Sequence, residues 1–149
     1  MKVRIECNKE DYVKIRQIFE SNGFEISTDA RFVFTEIGFK KENIRGYDIS
    51  GDKHIVDLNN VIIIQTGDYK NIVKTITNLE LFTDENLYYF ETNQFSHALI
   101  RINKSQIINL NHIVKVSYMV NSRLKLTLRN KDVVYVTRPY IKAFKTKFE

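Results

Sequence analysis

Short stretches in which apolar and polar residues alternate recur along the chain, and they limit its fold more than any other feature. The clearest is RLKLTLR at residues 123–129, where three leucines would share one face of a strand and the basic residues and Thr127 the other. Turn-forming residues, such as those at 130–132, separate such stretches. The sequence therefore predicts a mainly β protein with short helices.

The first 53 residues predict a small α+β module. Asn8 can cap a helix in which Tyr12, Ile15 and Phe19 recur at three and four residues. Residues 40–53 are charged and contain two of the five glycines, so we expect a linker there and a domain boundary between residues 53 and 54. The predicted elements before the linker are a strand at 2–7, a helix at 9–22, and strands at 24–27 and 31–39.

Residues 54–149 contain a succession of strand patterns, which we interpret as antiparallel strands. A helix is expected after Thr83 or Asp84, which can cap it, and it would end at Asn93; another begins at Pro139. Residues 106–112 predict a turn rather than a strand. The predicted strands are 54–58, 61–65, 70–76, 80–83, 98–102, 113–118, 123–129 and 133–136.

Charge is distributed unevenly along the chain. Eleven of the 23 Lys and Arg residues follow residue 97, where only Asp132 and Glu149 oppose them, so this segment carries +9 whereas residues 1–97 carry −4. Such asymmetry suggests a polyanionic partner. Ordinary solvated faces of strands and a helix would give the same charges, and charge alone does not decide between these interpretations.

Cysteine usage and hydropathy bear on the compartment. The lone Cys7 cannot form an intrachain disulfide, which fits a reducing cytosol. Met1 leads directly into a polar, alternating stretch, which is unlike a signal peptide. The longest apolar runs fall far short of the roughly 20 residues that cross a bilayer. We therefore expect a cytoplasmic protein without membrane insertion.

Residues suited to catalysis or metal binding are scattered. His54, His97 and His112 fall on different predicted elements, and no Cys/His cluster has metal-ligand spacing. Ser105 and His112 lack the glycine pattern of a nucleophile elbow, and neither glycine-rich phosphate-binding fingerprint occurs. The sequence predicts no enzymatic activity, no metal and no cofactor.

Three segments carry a resemblance to a known family. LIRINKSQIINLNHIVKV (residues 99–116) resembles the signature of LytTR DNA-binding domains: a strand reaching an Arg, a polar-basic pair, a Ser and an apolar-Asn-apolar turn. RLKLTLRNKDVVYVTRPYIKAF (123–144) is similar to the closing hairpin and terminal helix, and DLNNVIIIQTGDYKNIVKT (57–75) to the opening strands and first DNA-facing loop. The resemblance covers about residues 54–148. It implies an elongated, mostly antiparallel β domain whose loops enter successive major grooves of promoter DNA, usually at paired repeats.

The resemblance also assigns base-reading residues, and the chemistry of the surrounding side chains suggests phosphate contacts. Arg and Lys can donate to guanine and Asn can pair with adenine, whereas further basic residues would meet phosphates, which set register and salt-sensitive affinity. Gln65 stands where the family often has an acidic residue, so the base preference is not transferred. The expected base-reading residues are Tyr69, Lys70, Asn103, Lys104 and Arg138. The expected phosphate contacts are Arg101, Ser105, Arg123, Lys125, Lys142 and Lys145.

Several questions about partners stay open at this point. Residues 1–53 are too few for a receiver domain, so we expect them to mediate self-association or to bind a regulatory protein. A homodimer and two monomers on adjacent repeats would both fit paired DNA sites. The alternative function is a protein-interaction module that regulates a membrane sensor through its basic face, without binding DNA.

Two further side-chain assignments come from the residues themselves. Tyr88, Tyr89 and Phe90 could form a stacking platform for RNA, but core packing is the more economical interpretation. Asn109 lies in an apolar turn, where its side chain is expected to satisfy backbone groups rather than touch DNA.

Overall fold

A computed structural model describes residues 1–91, 95 and 98–148. The chain forms two compact units, Met1–Lys40 and Lys41–Glu149. The division therefore falls between Lys40 and Lys41 rather than at the predicted boundary after residue 53.

The first unit is a small α+β module, as predicted. Its strands form a parallel sheet in the order β2-β1-β3, and the apolar side of the helix, including Ile15 and Phe19, packs against Val3 and Ile5. The edge strand β3 also touches the helix, because the rings of Phe34 and Phe19 meet edge to face at 5.2 Å. The elements are β1 (Lys2–Glu6), α1 (Lys9–Ser21), β2 (Glu25–Ile26) and β3 (Phe32–Thr35).

The predicted linker at residues 40–53 is wrong, because part of it is a strand of the second unit. Strand β4 (Asn43–Tyr47) pairs along its whole length with β5 (Lys53–Asp57). Gly46, which favoured a loop in the sequence, is required by close packing: a Cβ there would lie 2.8 Å from the Cβ of Leu81. The glycine thus allows β4 to approach the neighbouring strand.

The second unit is built from two antiparallel sheets. One has seven strands in the order β5-β4-β8-β7-β6-β10-β9, and the other has three in the order β11-β12-β13. The mainly β prediction is confirmed. After β4 and β5 the elements are β6 (Val61–Gln65), β7 (Asn71–Thr75), β8 (Glu80–Thr83), α2 (Leu87–Glu91), β9 (Leu99–Asn103), β10 (Gln106–Asn109), β11 (Ile113–Tyr118), β12 (Leu124–Leu128), β13 (Val133–Val136) and α3 (Arg138–Phe148).

Two predicted elements of the second unit also differ from the structure. The turn expected at residues 106–112 is wrong, because β10 occupies most of it and pairs with both β6 and β9. Its Ile107 and Ile108 are buried on opposite sides of the sheet, so the strand lacks the alternation of apolar and polar residues that marks a half-exposed strand. Helix α2 begins at Leu87, later than predicted, and the predicted end at Asn93 lies outside the described residues.

Apolar clusters cover both faces of the large sheet, so its central strands are buried on both sides. In β6, Val61 and Ile64 belong to the cluster that includes Phe90 of α2, whereas Ile62 and Ile63 belong to the opposite cluster. The opposite cluster also contains the three leucines of β12 and Phe144 of α3. The predicted inward face of RLKLTLR is therefore confirmed.

A short 3-10 turn after β10 is held by side chains. The Nδ2 of Asn109 donates to the carbonyl of Leu58 at 3.1 Å, and its Oδ1 accepts from the Asn111 amide at 3.0 Å. Asn109 is buried, which confirms its predicted structural role. His112 is also buried, with its Nε2 2.5 Å from the carbonyl oxygen of Asn59.

Candidate nucleic-acid interface

Three segments that the sequence assigned to DNA contact meet at one end of the second unit. We call residues 66–70, after β6, the first loop; residues 103–105, which run from the last residue of β9 to the start of β10, the second loop; and residues 137–138, at the junction of β13 and α3, the third loop. The Thr66 amide in the first loop donates to the Ser105 carbonyl in the second at 3.0 Å. The first and second loops, which are distant in sequence, thus become neighbours.

Two hydrogen bonds hold the second and third loops beside each other, each between a residue of one loop and the strand that leads into the other. The Thr137 amide donates to the carbonyl of Ile102 at 3.0 Å. The side-chain Nδ2 of Asn103 donates to the carbonyl of Tyr135 at 3.0 Å. Arg138 therefore begins helix α3 beside the strand end that leads to Lys104.

A chain of side-chain amides runs beneath these loops. Asn103 donates to the Oε1 of Gln106 at 2.8 Å, and the Nε2 of Gln106 donates to the Oε1 of Gln65 at 3.2 Å. Gln65 and Gln106 face each other where β6 pairs with β10. The sequence pattern did not reveal this network, because it depends on pairing between strands 41 residues apart.

Asn103 has an internal role in this arrangement. Its Nδ2 donates to Gln106 and Tyr135, and its Oδ1 accepts from the Ser105 amide at 2.8 Å. A base reader needs a donor and an acceptor that are free to face adenine. The amide that was predicted to read a base is thus engaged in holding the second loop.

The other expected base readers are exposed. Tyr69 is 99% exposed, and Lys104 and Arg138 are exposed without a side-chain partner in the described part of the chain. The Nζ of Lys70 lies 2.5 Å from a carboxylate oxygen of Asp84. Both of those side chains are largely exposed, and an exposed ion pair contributes only about 0 to 1 kcal/mol to stability. Lys70 can therefore leave Asp84 for another anionic partner.

Strand register brings further basic residues to the same end. Leu124 pairs with Val136, which places the preceding Arg123 opposite the third loop. Lys125 pairs with Tyr135, whose carbonyl accepts from Asn103. Arg123 is exposed and Lys125 is half-buried.

Helix α3 adds exposed positive charge. Lys142 and Lys145 are exposed on the helix, and the Nζ of Lys145 lies 5.7 Å from the ring centroid of Tyr118. Tyr118 pairs with Leu124, at the Arg123 end of β12. The acidic Asp132 lies at the opposite end of the β12–β13 hairpin, where it accepts from Lys74 at 3.2 Å.

Two of the expected phosphate contacts take part in hydrogen bonds within the protein, Arg101 through its side chain and Ser105 through its backbone alone. The guanidinium of Arg101 bonds to Glu91 and to carbonyls of the second loop. The Ser105 backbone bonds to Thr66 and to Asn103, while its side chain is exposed. Glu91 was not singled out in the sequence, which contains no local signal of its pairing with Arg101.

The aromatic residues of α2 divide between core and surface. Phe90 is buried and its ring centroid lies 5.1 Å from that of Tyr89 and 5.5 Å from that of Phe95. Core packing is confirmed for Phe90. For Tyr88 it is wrong, because that side chain is 71% exposed.

The described residues offer no constellation for metal binding. Among them, no group of three or more His, Cys, Asp and Glu side chains is placed to hold an ion. His54 pairs with Asp48 and His112 is buried in its turn, while His97 lies outside the described residues. In the same described part of the chain, no helix is long and apolar enough to cross a membrane.

The fold and the charges define a β-rich module whose basic, loop-built end is suited to a polyanion. A family model of the LytTr DNA-binding domain matches residues 52–149. The chain belongs to the LytTR family, which is a family of DNA-binding domains rather than of enzymes. Strand β4 precedes the matched residues.

Relatives and a solved structure agree with this assignment. An uncharacterized HTH-type transcriptional regulator of Staphylococcus aureus is 30% identical over 108 residues, which cover 72% of this chain and 71% of the relative. The sensory transduction protein LytT of Bacillus anthracis is 26% identical, over 70% of this chain and 47% of its own length. The LytTr DNA-binding domain of a Bacillus cereus protein superposes with a TM-score of 0.65 at 24% identity, covering 72% of this chain and 96% of that domain. The last comparison shows a shared fold.

Proposed function

We propose that the protein is a transcription regulator that binds double-stranded promoter DNA sequence-specifically, with its loops in the major groove at repeated sites. The observation that carries this proposal is the convergence of the three loops through the Thr66–Ser105, Thr137–Ile102 and Asn103–Tyr135 hydrogen bonds. These bonds give one surface three separate points of contact. Membership of the LytTR family supports DNA as the partner.

Base reading is assigned to four exposed side chains at this surface. Arg138 can bond in a fork to O6 and N7 of a guanine, and Lys104 can donate to the same acceptors. Tyr69 and Lys70 of the first loop would reach an adjacent stretch of the groove, and Lys70 would leave its exposed pair with Asp84. Asn103 is assigned to the support of the second loop, because its amide is already bonded.

Phosphate contacts would set the position of the domain on the duplex. Arg123, Lys125, Lys142 and Lys145 lie on the elements around the third loop, and the exposed side chain of Ser105 can donate to a phosphate oxygen. Such contacts supply salt-sensitive affinity without base preference. We therefore assign these five side chains to the DNA backbone.

The direct experiment measures binding of the full chain to duplex DNA from its own promoter region against a random duplex, over a salt series. Lys104→Ala and Arg138→Ala are each expected to weaken promoter binding by about 1 to 3 kcal/mol. Arg129→Ala is the matched control, because Arg129 is exposed at the opposite end of β12 and carries the same charge. Weak, equal binding to every duplex would refute the proposal and favour a protein-interaction module that regulates a membrane sensor.

We propose a separate role for the first unit, which is self-association. Its edge strand β3 presents Phe32, Val33 and Phe34, which are 55%, 41% and 41% exposed. An exposed apolar edge strand is a template for pairing with another chain. Pairing of two copies would suit repeated DNA sites, although two monomers on adjacent repeats would bind there as well.

A regulator of this kind acts where the chromosome is, so the proposal places the protein in the cytoplasm. Cys7, a buried free thiol, fits such a reducing compartment. A regulatory protein that binds the first unit is the competing role for that unit, and it would leave the protein monomeric.

A further inference from the structure

We propose that Arg101 and Glu91 form a positioning pair that fixes the second loop in the shape that presents Lys104 to DNA. The DNA part of this inference rests on the proposed function, whereas the loop-holding part concerns the free protein. Arg101 was expected to contact a phosphate, so the two roles make opposite predictions for several variants.

The geometry of Arg101 is that of a clamp. Its Nε donates to the Asn103 carbonyl at 2.9 Å, and one terminal nitrogen donates to the Lys104 carbonyl at 2.5 Å. The other terminal nitrogen donates to a carboxylate oxygen of Glu91 at 2.8 Å. The rigid guanidinium fork thus bonds two successive carbonyls of the loop and an anchor on α2.

The second loop needs such support because the strand pairing is irregular there. Gln106 pairs with Asn103 but Ile107 pairs with Arg101, so one extra residue, Ile102, is accommodated on β9. A bulge of this kind interrupts the regular ladder and redirects the chain. Arg101 donates to the carbonyls of Asn103 and Lys104, which lie on the loop side of that irregularity.

Burial strengthens the pair relative to an ordinary surface ion pair. The Arg101 side chain is 21% exposed and that of Glu91 is 31% exposed. Hydrogen bonds between ionised partners are stronger than neutral ones, and partial burial reduces their screening by salt. Glu91 thereby orients Arg101, and Arg101 orients the backbone that carries Lys104.

Glu91→Gln distinguishes the positioning role from a phosphate contact by the sign of its effect. Removing a surface acid near a DNA-binding end would strengthen binding through charge alone. Replacing the charge-assisted bond with a weaker neutral one loosens the anchor, so promoter binding should instead weaken, by up to roughly tenfold if one base contact is lost, while random-duplex binding is unchanged or slightly tighter. Glu85→Gln is the matched control, since Glu85 is exposed and undergoes the same charge change.

Arg101→Lys provides the second test. Lysine keeps the charge and would still serve as a point contact to phosphate, but it lacks the fork that reaches two carbonyls and Glu91. The positioning role predicts a loss of promoter selectivity with an unchanged salt slope. A variant that binds like wild type would show that only the charge of Arg101 matters and would overturn the inference.

A measurement without DNA completes the design. The Ser105 amide is protected by its bond to Asn103, so its hydrogen exchange reports the shape of the second loop in the free full-length protein. We expect faster exchange of this amide in Glu91→Gln and Arg101→Lys, and no change in Glu85→Gln, at equal thermal stability. Unchanged exchange in both variants would overturn the clamp. Failure of the wild type to prefer promoter DNA, with faster exchange in the variants, would refute only the proposed function.

Discussion

Gly67 in the first loop has no room for a side chain. A Cβ at this position would fall well inside contact distance of the Lys70 carbonyl oxygen and would lie 3.1 and 3.2 Å from Cδ1 and Cγ1 of Ile72. Ile72 can adjust at the end of its side chain, but the Lys70 carbonyl is backbone. Gly67→Ala must therefore displace the first loop, which carries Tyr69 and Lys70.

Two effects of Gly67→Ala follow from this geometry. Forcing an extra methyl group into a packed position costs about 1 to 3 kcal/mol, and the reduced freedom of the unfolded chain offsets about 0.4 to 1 kcal/mol of it. The middle of these two ranges gives an expected net loss of about 1.3 kcal/mol in the free energy of unfolding, measured by urea denaturation. If the first loop contacts bases as proposed, its displacement should also weaken promoter binding roughly tenfold.

Gly23→Ala is the control for Gly67→Ala. Gly23 lies in the first unit with a φ of 85°, where a Cβ would meet nothing within 4 Å but the backbone conformation is unfavourable for alanine. It should lower the stability of the first unit and leave the affinity for a single DNA site unchanged. Wild-type stability and DNA affinity in Gly67→Ala would refute the described packing of the first loop.

Two other predictions concern the acid stability of one hairpin and the edge of the first unit. Hydrogen bonds from His54 and from the backbone amides of Asp52 and Ser50 lower the pKa of Asp48. The Asp48 carboxylate therefore stabilises the β4–β5 turn at a pH above the usual pKa of an aspartate. This stabilisation is lost as the pH falls through the lowered pKa of Asp48. Asp48→Asn keeps an oxygen that can accept from both amides but has no charge to titrate. The free energy of unfolding of this variant, measured by circular dichroism, should fall less steeply on acidification than that of the wild type. An equally steep fall in both proteins would contradict this prediction. Val33→Lys should shift the sedimentation of the protein toward that of a monomer. Gln17→Lys, on the exposed side of α1, should sediment like the wild type. Equal masses for the wild type and both variants would refute self-association through β3.

Elements whose signal is local were predictable from the sequence. Alternation identified β12 and the inward side of its leucines, because the period of two depends only on neighbouring residues. Strand β4 was missed because Gly46 resembles a loop residue until the closeness of Leu81 is known. Strand β10 was missed because it is buried on both faces and shows no alternation.

The assignment of DNA-contacting residues was limited by a different factor. The sequence gives the donors that a residue carries, but it does not show which of them are already bonded within the protein. Asn103 and Arg101 both carry suitable groups, but both are already bonded to backbone carbonyls. Asn103 donates to a carbonyl of β13, and Arg101 donates to two carbonyls of the second loop. Lys104 and Arg138 are exposed, and this difference appears only after folding.

In the proposed interface, separate loops read separate bases of one site. This base reading is tested most directly by measuring the affinity of wild type, Tyr69→Ala, Lys104→Ala and Arg138→Ala for a panel of duplexes in which each base pair of the bound promoter site is changed in turn. Each variant is expected to lose discrimination at its own one or two positions and to keep it elsewhere. A uniform loss of affinity across the whole panel, with wild-type discrimination at every position, would contradict base reading by these loops and reduce them to phosphate contacts.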